Sequence, residues 1–200
     1  GRHFTAGKDI SEFTIQPESG VAMRRNYRNL TDVFDELERI EKPTILAVQG
    51  PCLGVGVEFG SSFDFRFATP RASIALPEMP NLAILPGSGG ISRLTRLVGP
   101  HWARWIALAG ETVGAEQGVT IGWFHQVLPE EGFHEAVHAW ARKLVSFSAE
   151  ALGLGKIGID LAVNADPRLS RQFDWVANTN LNTTREYLAK LEEFQNRMKK

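Results

Sequence analysis

Cysteine is nearly absent from this sequence, which also lacks an excess of one charge and any long apolar run. Its 200 residues include one cysteine, Cys52, which excludes an intrachain disulfide and favours a reducing compartment. The net charge of −1 gives no indication of binding to nucleic acid or to an anionic membrane. The uncharged stretch 44–57 is too short for a membrane span and contains Pro51. We therefore expect a cytoplasmic protein (mitochondrial matrix in a eukaryote) without nucleic-acid or membrane partners.

The spacing of the apolar residues predicts an α/β protein with a helical C-terminal region. It indicates an amphipathic helix over about 22–41, a strand buried on both faces at 44–48 and a half-exposed strand at 63–68. Further predicted elements are strands at 73–77 and 122–128 and a loop at 17–20. Three more helices are predicted: one that ends near residue 98, one around 102–106 and one at 115–120. From residue 131 only helices are predicted, over about 131–146, 148–163, 168–179 and 183–199. We therefore divide the chain into a mixed region, 1–130, and a helical region, 131–200.

Two glutamates in this pattern are candidates for acid/base chemistry. Glu58 follows the glycine-rich segment after the 44–48 strand, and Glu78 follows the strand at 73–77. Two carboxyl groups can hold one water and exchange protons with it, provided that their surroundings set their pKa values apart. The glycine-rich start of the helix that carries Glu58 would expose backbone N–H groups to a developing oxyanion. The alternative is that Glu58 complements the helix dipole and Glu78 is an ordinary surface carboxylate.

The glycines before Glu58 also resemble a dinucleotide-binding loop. The pattern Gly-x-x-x-Gly-x-Gly at 50–56 is similar to the glycine signature of short-chain dehydrogenases. Those enzymes also need a Tyr-x-x-x-Lys pair for proton transfer. Neither Tyr27 nor Tyr187 has a lysine four residues later, so the sequence disfavours this class.

A zinc-peptidase pattern, H-E-x-x-H, occurs at residues 134–138. Two histidines four residues apart on one helix face can bind zinc, with the glutamate as general base. The apolar spacing of Phe133, Val137, Trp140 and Leu144 predicts the buried face of this helix and leaves both histidines at its edge. The longer metzincin pattern is also absent. A solvated helix edge is the favoured interpretation, and a metalloprotein stays an alternative.

Five further segments occur in a fixed order. They are F-T-A-G-K-D-I (4–10), K-P-T-I-L-A-V-Q-G (42–50), L-G-V-G-V-E (53–58), A-S-I-A-L-P-E (72–78) and L-P-G-S-G-G (85–90), with Arg93-Leu94 shortly after. Together they resemble the crotonase (enoyl-CoA hydratase/isomerase) superfamily over residues 1 to about 145. Several motifs in order are far more specific than any one of them.

The resemblance implies a fold, a substrate class and an assembly. The fold would be a crotonase-like spiral of ββα turns with a helical C-terminal region that mediates assembly into a homotrimer or hexamer. Gly1 aligns with the interior of the family fold, so we expect the first strands of the spiral to be missing from this chain. The substrate would be an acyl-CoA thioester, with coenzyme A as part of the substrate and no other cofactor or metal.

The resemblance also assigns site residues. The catalytic glutamates would be Glu58 and Glu78, and the oxyanion hole would consist of the backbone N–H groups of Lys8 and Val55. Substrate contacts would come from Ala6, Gly54 and Gly87. Both glutamates together favour addition or removal of water across an α,β-unsaturated acyl-CoA.

Other chemistry of the same family stays open at this stage. An isomerase is one alternative, and a carnitinyl-CoA dehydratase, which the segments around Glu78 and 87–90 also resemble, is another. Val55 stands where the family usually has a glycine, and Lys8 where it usually has an alanine. Glu78 to Gly87 is also one residue longer than the commonest family spacing, and this spacing together with Val55 admits a non-catalytic member of the family.

Overall fold

The computed structural model describes residues 1–12 and 19–199 in two compact units. The first unit comprises residues 1–40 and 44–140, and the second comprises residues 41–43 and the chain from Ala141 onward. Residues 17 and 18 of the predicted loop lie outside the described residues, as does Phe13, for which the sequence favours a core or interface position. No helix in the described ranges is long and apolar enough to cross a lipid bilayer.

Within the described part of the first unit, six short strands form two three-stranded sheets. In chain order the strands are β1 (Ile45–Val48), β2 (Pro51–Leu53), β3 (Phe65–Ala68), β4 (Ser73–Ala75), β5 (Val113–Gly114) and β6 (Gln126–Val127). One sheet has the order β1-β3-β6 and is parallel throughout. The other has the order β2-β4-β5, in which β2 and β4 are parallel and β5 is antiparallel. Strands β1 to β4 thus alternate between the two sheets, as the predicted spiral of ββα turns requires, whereas β5 pairs with β4 in the second sheet and β6 returns to the first.

Helices close these turns and cover the sheets. After a 3-10 turn (Ile10–Glu12), the helices are α1 (Gly20–Arg39), α2 (Val55–Gly60), α3 (Glu78–Leu82), α4 (Gly90–Ala107), α5 (Ala115–Thr120) and α6 (Phe133–Val145). The sequence predicts two helices where α4 lies. The structure has one helix with a kink at Gly99, the residue before Pro100. Gly99 has a φ of 72° and a ψ of 165°, which are not helical, so the kink lies between the two predicted helices. The α/β fold class is confirmed.

The core of the first unit lies between the sheets and α2 and α4. Val48, Ile74, Leu94 and Ile106 are completely buried there, and so is Cys52. Burial disfavours the thiolate and raises the pKa of Cys52 to about 12, so this thiol is an apolar packing group. A smaller cluster forms around Phe67, Phe133 and Val137, as the apolar spacing of α6 predicts.

The strand predicted at 63–68 is present as β3 (Phe65–Ala68), but its predicted half exposure is wrong. The strand observed there, β3, lies between β1 and β6, and its last three residues are buried. Arg66 is only 2% exposed, and its guanidinium donates to the carbonyl oxygens of Trp123 and Phe63. The polar positions of the strand therefore reflect satisfied buried groups rather than a solvent-facing side.

The described residues of the second unit form the helices α7 (Ala149–Asn164), α8 (Pro167–Asn182) and α9 (Arg185–Met198). A side chain caps each helix start: the side-chain oxygens of Ser148, Asp166 and Thr184 accept backbone N–H groups from the first turns. A cavity of about 350 Å³ lies between α7 and α8. Large apolar side chains of this unit are exposed, among them Ile159, Trp175, Val176, Leu188 and Phe194. The predicted division near residue 130 and the assembly role of this region stay predictions.

Candidate active site

The carboxyl ends of three neighbouring parallel segments meet at one edge of the second sheet. Thr5 forms a parallel bridge with Cys52 of β2, and β2 pairs in parallel with β4. Gly7, Gly54 and Glu78 follow these three segments in turn. Ligands of α/β proteins commonly bind beyond the carboxyl ends of parallel strands. The topology therefore assembles residues far apart in sequence at one candidate site.

Two glycines allow the chain to pack tightly at this edge. Gly54 has φ +58°, and a Cβ atom there would lie 2.9 Å from Oε1 of Glu78 and 3.7 Å from the Cα of Gly7. Gly7 has φ +93°, and a Cβ atom there would lie 3.1 Å from the carbonyl oxygen of Leu53. Both positions need a residue that tolerates positive φ and has no side chain. The tight contact brings the loop that carries Lys8 against the start of α2.

The two predicted oxyanion-hole residues flank this glycine contact. Lys8 follows Gly7, and Val55 follows Gly54 as the first residue of α2. The first N–H groups of a helix have no acceptor within the helix, so the N–H of Val55 is available to a ligand. Ala6, at the other side of Gly7, is exposed. The backbone of four of the five predicted contact and oxyanion positions, all except Gly87, thus lies around the contact between Gly7 and Gly54.

Glu58 is a buried carboxyl group held by backbone N–H groups. It is 4% exposed, and its Oε2 accepts from Ser88 N at 2.7 Å and from Gly90 N at 3.0 Å. Among the described residues, no group donates to its other oxygen, Oε1. Burial raises the pKa of Glu58, as does the negative charge of Glu78, while the two N–H groups and the Arg93 cation oppose the rise. One oxygen is therefore fixed and the other can accept a hydrogen bond from a ligand or water.

Glu78 is the second carboxyl group and has no such fixed partner. It begins α3, and within the described chain its Oε2 is buried without a hydrogen-bond partner. Burial raises the pKa of Glu78, and its own backbone N–H opposes this only in part. A raised pKa brings a carboxyl group closer to the range in which it can both give and take a proton during a reaction. Buried polar atoms without a hydrogen-bond partner are rare in proteins, so this oxygen is a candidate to bond to a ligand or a water.

The turn at 87–90 connects Glu58 to α1. The ring of Tyr27 on α1 packs against Gly87, where a Cβ atom would lie 2.5 Å from Cε1 of the tyrosine. Arg93, just after the turn, forms ion pairs with Asp35 and Glu38 of α1. The turn is therefore fixed from one side by α1 and presents its backbone N–H groups to Glu58 on the other.

Comparison with known proteins identifies the family of this chain. A family model described as enoyl-CoA hydratase/isomerase matches residues 1–187. The chain belongs to the enoyl-CoA hydratase/isomerase family. The resemblance found in the sequence motifs is confirmed.

Solved structures of similar proteins support the fold of this family member. A Bacillus anthracis enoyl-CoA hydratase is 29% identical, with a TM-score of 0.90, and the match covers 98% of this chain and 76% of that one. DspI of Pseudomonas aeruginosa is 27% identical, with a TM-score of 0.90 and coverage of 98% and 74%. A Mycobacterium smegmatis enoyl-CoA hydratase, at 22% identity, shares the fold, with a TM-score of 0.91 and coverage of 98% and 76%. The chain thus spans about three quarters of the length of these proteins.

The zinc-peptidase pattern finds no support in the structure of this family member. His134 and His138 are both exposed on α6. No group of three or more potential ligands among histidine, cysteine, aspartate and glutamate gathers anywhere in residues 1–12 and 19–199. A two-histidine pair without a third protein ligand does not make a usual zinc site. The interpretation as a solvated helix edge agrees with this exposure.

Sequence reasoning missed the groups that hold Glu58. It assigned no donors to Glu58, and the structure shows that they are the backbone N–H groups of Ser88 and Gly90. The role of Gly87 in substrate binding stays a prediction. Arg93 belongs to one of the motifs, but its acidic partners lie on a different helix and carry no motif of their own. Only the three-dimensional contact between α1 and α4 reveals them.

Proposed function

We propose that this chain is a hydro-lyase that adds water to, or removes it from, an α,β-unsaturated acyl-CoA thioester. The observation that carries the proposal is the pairing of Glu58 and Glu78. Glu58 is buried, and Glu78 is half-buried with its Oε2 atom enclosed. Both pKa values are raised, and the negative charge of Glu78 contributes to the rise at Glu58. Each leaves one oxygen without a partner among the described residues. This arrangement suits two groups that hold one water between them.

The chemistry follows from the different bonding of the two carboxyl groups. In the hydration direction, Oε1 of Glu58 orients a water whose oxygen bonds to the β-carbon of the substrate. Glu78 accepts a proton from that water and delivers a proton to the α-carbon. One water is consumed, and both carboxyl groups return to their initial protonation states. Dehydration follows the same steps in reverse.

Negative charge that develops on the thioester oxygen would be stabilised by two backbone N–H groups, those of Lys8 and Val55. Such donors are worth about 3–4 kcal/mol each when they are held in place before the reaction. Because the donor is the backbone, a valine in place of glycine at position 55 keeps it. Ala6, Gly54 and Gly87 would complete the contacts with the substrate. No cofactor enters this scheme beyond the coenzyme A of the substrate itself.

We further propose that the protein assembles as a homotrimer or a hexamer through its helical region. The exposed apolar side chains of α8 and α9 support this, because large apolar groups in water favour contacts with another surface. Sedimentation of the purified protein tests the assembly independently of its activity.

A substrate screen tests the proposed reaction. The purified protein is offered trans-enoyl-CoA thioesters of increasing chain length, together with crotonobetainyl-CoA, and loss of the conjugated double bond is followed with product analysis. We expect water addition to at least one of them. Binding of acyl-CoA without turnover across the whole panel would favour a non-catalytic family member, and migration of the double bond without hydration would favour an isomerase.

Substitution of Val55 by proline tests the proposed oxyanion hole. Proline is tolerated at the first position of a helix, so V55P removes one N–H group and leaves α2 in place. We expect kcat to fall about 100-fold through loss of one donor. V55A, which keeps the N–H, is the matched control and should stay near the wild-type rate. Equal rates for V55P and V55A would show that this N–H does not act in the reaction.

A further inference from the structure

Arg93 is a buried cation beside the turn that holds Glu58. Its side chain is 4% exposed. Its Nη1 donates to the carbonyl oxygen of Ser88 at 3.1 Å, its Nε donates to Oε1 of Glu38 at 2.8 Å, and its Nη2 donates to Asp35. The planar guanidinium is thus held by two carboxylates of α1 while it bonds to the turn. This bonding fixes the position of the buried charge, because all three nitrogen atoms of one rigid planar group donate hydrogen bonds.

Ser88 links Arg93 directly to Glu58. The carbonyl oxygen of Ser88 accepts from Arg93, and its N–H donates to Oε2 of Glu58 at 2.7 Å, the shorter of the two bonds to that oxygen. Ser88 is only 2% exposed, so solvent does not replace either contact readily. Movement of Ser88 would therefore change the position of the Glu58 carboxyl group.

The positive charge of Arg93 lowers the pKa of Glu58, as does the hydrogen bond from the Ser88 N–H that Arg93 holds in place. The charged groups that act on Glu58 are Glu78, which raises its pKa, and Arg93, which lowers it. The carboxylates of Asp35 and Glu38 bond to Arg93 itself. Removing Arg93 would loosen an N–H bond that favours the carboxylate form of Glu58 and would also remove the nearby cation.

We propose that Arg93 is a positioning residue for Glu58. It holds Ser88 so that the N–H groups of the turn fix one carboxylate oxygen, and the two carboxylates of α1 hold Arg93. Its effect on the reaction rate rests on the proposed function, whereas its effect on Glu58 exists in the protein without substrate. Helix α1, which carries neither Glu58 nor Glu78, thereby sets the geometry of the Glu58 carboxyl group.

The test compares R93M and R93K with the wild type, and R71M is the matched control, since Arg71 forms an exposed ion pair with Glu130. The pKa of Glu58 is measured by ¹³C NMR titration of the side-chain carboxyl groups without substrate, with the signal assigned by its loss in E58Q. We expect the pKa of Glu58 to rise in R93M, to rise less in R93K, and to stay unchanged in R71M. In turnover assays, kcat of R93M should fall about 10-fold with little change in KM.

An unchanged titration of Glu58 in R93M would overturn the positioning role, even if the variant melts at a lower temperature. If R93M does not fold, R93K decides: a rise in the Glu58 pKa supports the role and an unchanged value overturns it. If the wild type turns over no enoyl-CoA but the pKa of Glu58 still rises in R93M, the proposed function fails and the positioning role stands. If the wild type hydrates enoyl-CoA but the pKa of Glu58 is unchanged in R93M, the proposed function stands and the positioning role fails.

Discussion

Substitution of Glu78 by glutamine is expected to slow hydration of crotonyl-CoA about 10⁴-fold. The amide has the shape of the carboxyl group but cannot carry the proton between water and the α-carbon, and general acid/base groups contribute up to about 10⁴-fold. Because the role is in the transition state, the loss should appear in kcat with KM close to the wild-type value. Steady-state kinetics of E78Q and the wild type measure this directly.

The matched control for this substitution is E130Q. Glu130 is an exposed carboxylate paired with Arg71 at 2.6 Å, so its neutralisation should leave turnover unchanged. A rate for E78Q within a few-fold of that of E130Q would show that Glu78 does not transfer the proton.

The same substitution should make the protein more stable at neutral pH. Burial raises the pKa of Glu78 above its ordinary value, so the folded state binds the proton more tightly than the unfolded chain does. Stability is therefore lost as the pH rises from that ordinary value through the folded pKa, and the ionised group is a cost at pH 7. E78Q removes this cost, and its gain in unfolding temperature over the wild type should vanish in acid. A variant that is less stable than the wild type at pH 7 would contradict the assigned burial cost.

Substitution of Glu58 by glutamine is the second large effect, an expected loss of about 10³-fold in kcat. The amide oxygen of glutamine can take the place of Oε2 and accept from Ser88 and Gly90 as before. The amide NH₂ group then stands where Oε1 was, and it donates a hydrogen bond where the water needs an acceptor. We therefore expect E58Q to fold like the wild type but to lose the orientation of the water.

Thermal unfolding and acyl-CoA binding serve as controls for E58Q. We expect the unfolding temperature to be no lower than that of the wild type, and the dissociation constant for a saturated acyl-CoA to be unchanged. Wild-type turnover by a well-folded E58Q would remove Glu58 from the reaction and leave Glu78 to act alone.

The sequence motifs could predict that Gly7, Gly54 and Glu78 come together, because each of these residues follows a parallel strand or bridge. Once the strands are placed side by side, Gly7, Gly54 and Glu78 must lie at the same edge, because the carboxyl ends of parallel strands face the same way. The family and the α/β class could also be predicted in this way. The helices of the second unit were located to within a few residues, since their caps and apolar spacing are local features.

What could not be predicted depends on contacts between distant segments. The bonds from the turn to Glu58 join residues 30 and 32 positions apart, and the pairs from Arg93 to α1 join residues 55 and 58 apart. No local spacing encodes them. Arg66 was misplaced for a related reason: alternation of apolar and polar residues predicts a solvent-facing side, but backbone carbonyls of other segments satisfy this guanidinium inside the protein.

The rate of crotonyl-CoA hydration by the double variant E58Q/E78Q, set beside the wild type and the two single variants, tests the central claim most directly. If the two carboxyl groups act together on one water, the wild type hydrates the substrate, each single variant loses most of that rate, and the double variant is little slower than E78Q alone. A double variant whose loss equals the product of the two single losses would contradict joint action on one water. Single variants that keep the wild-type rate would contradict the whole assignment.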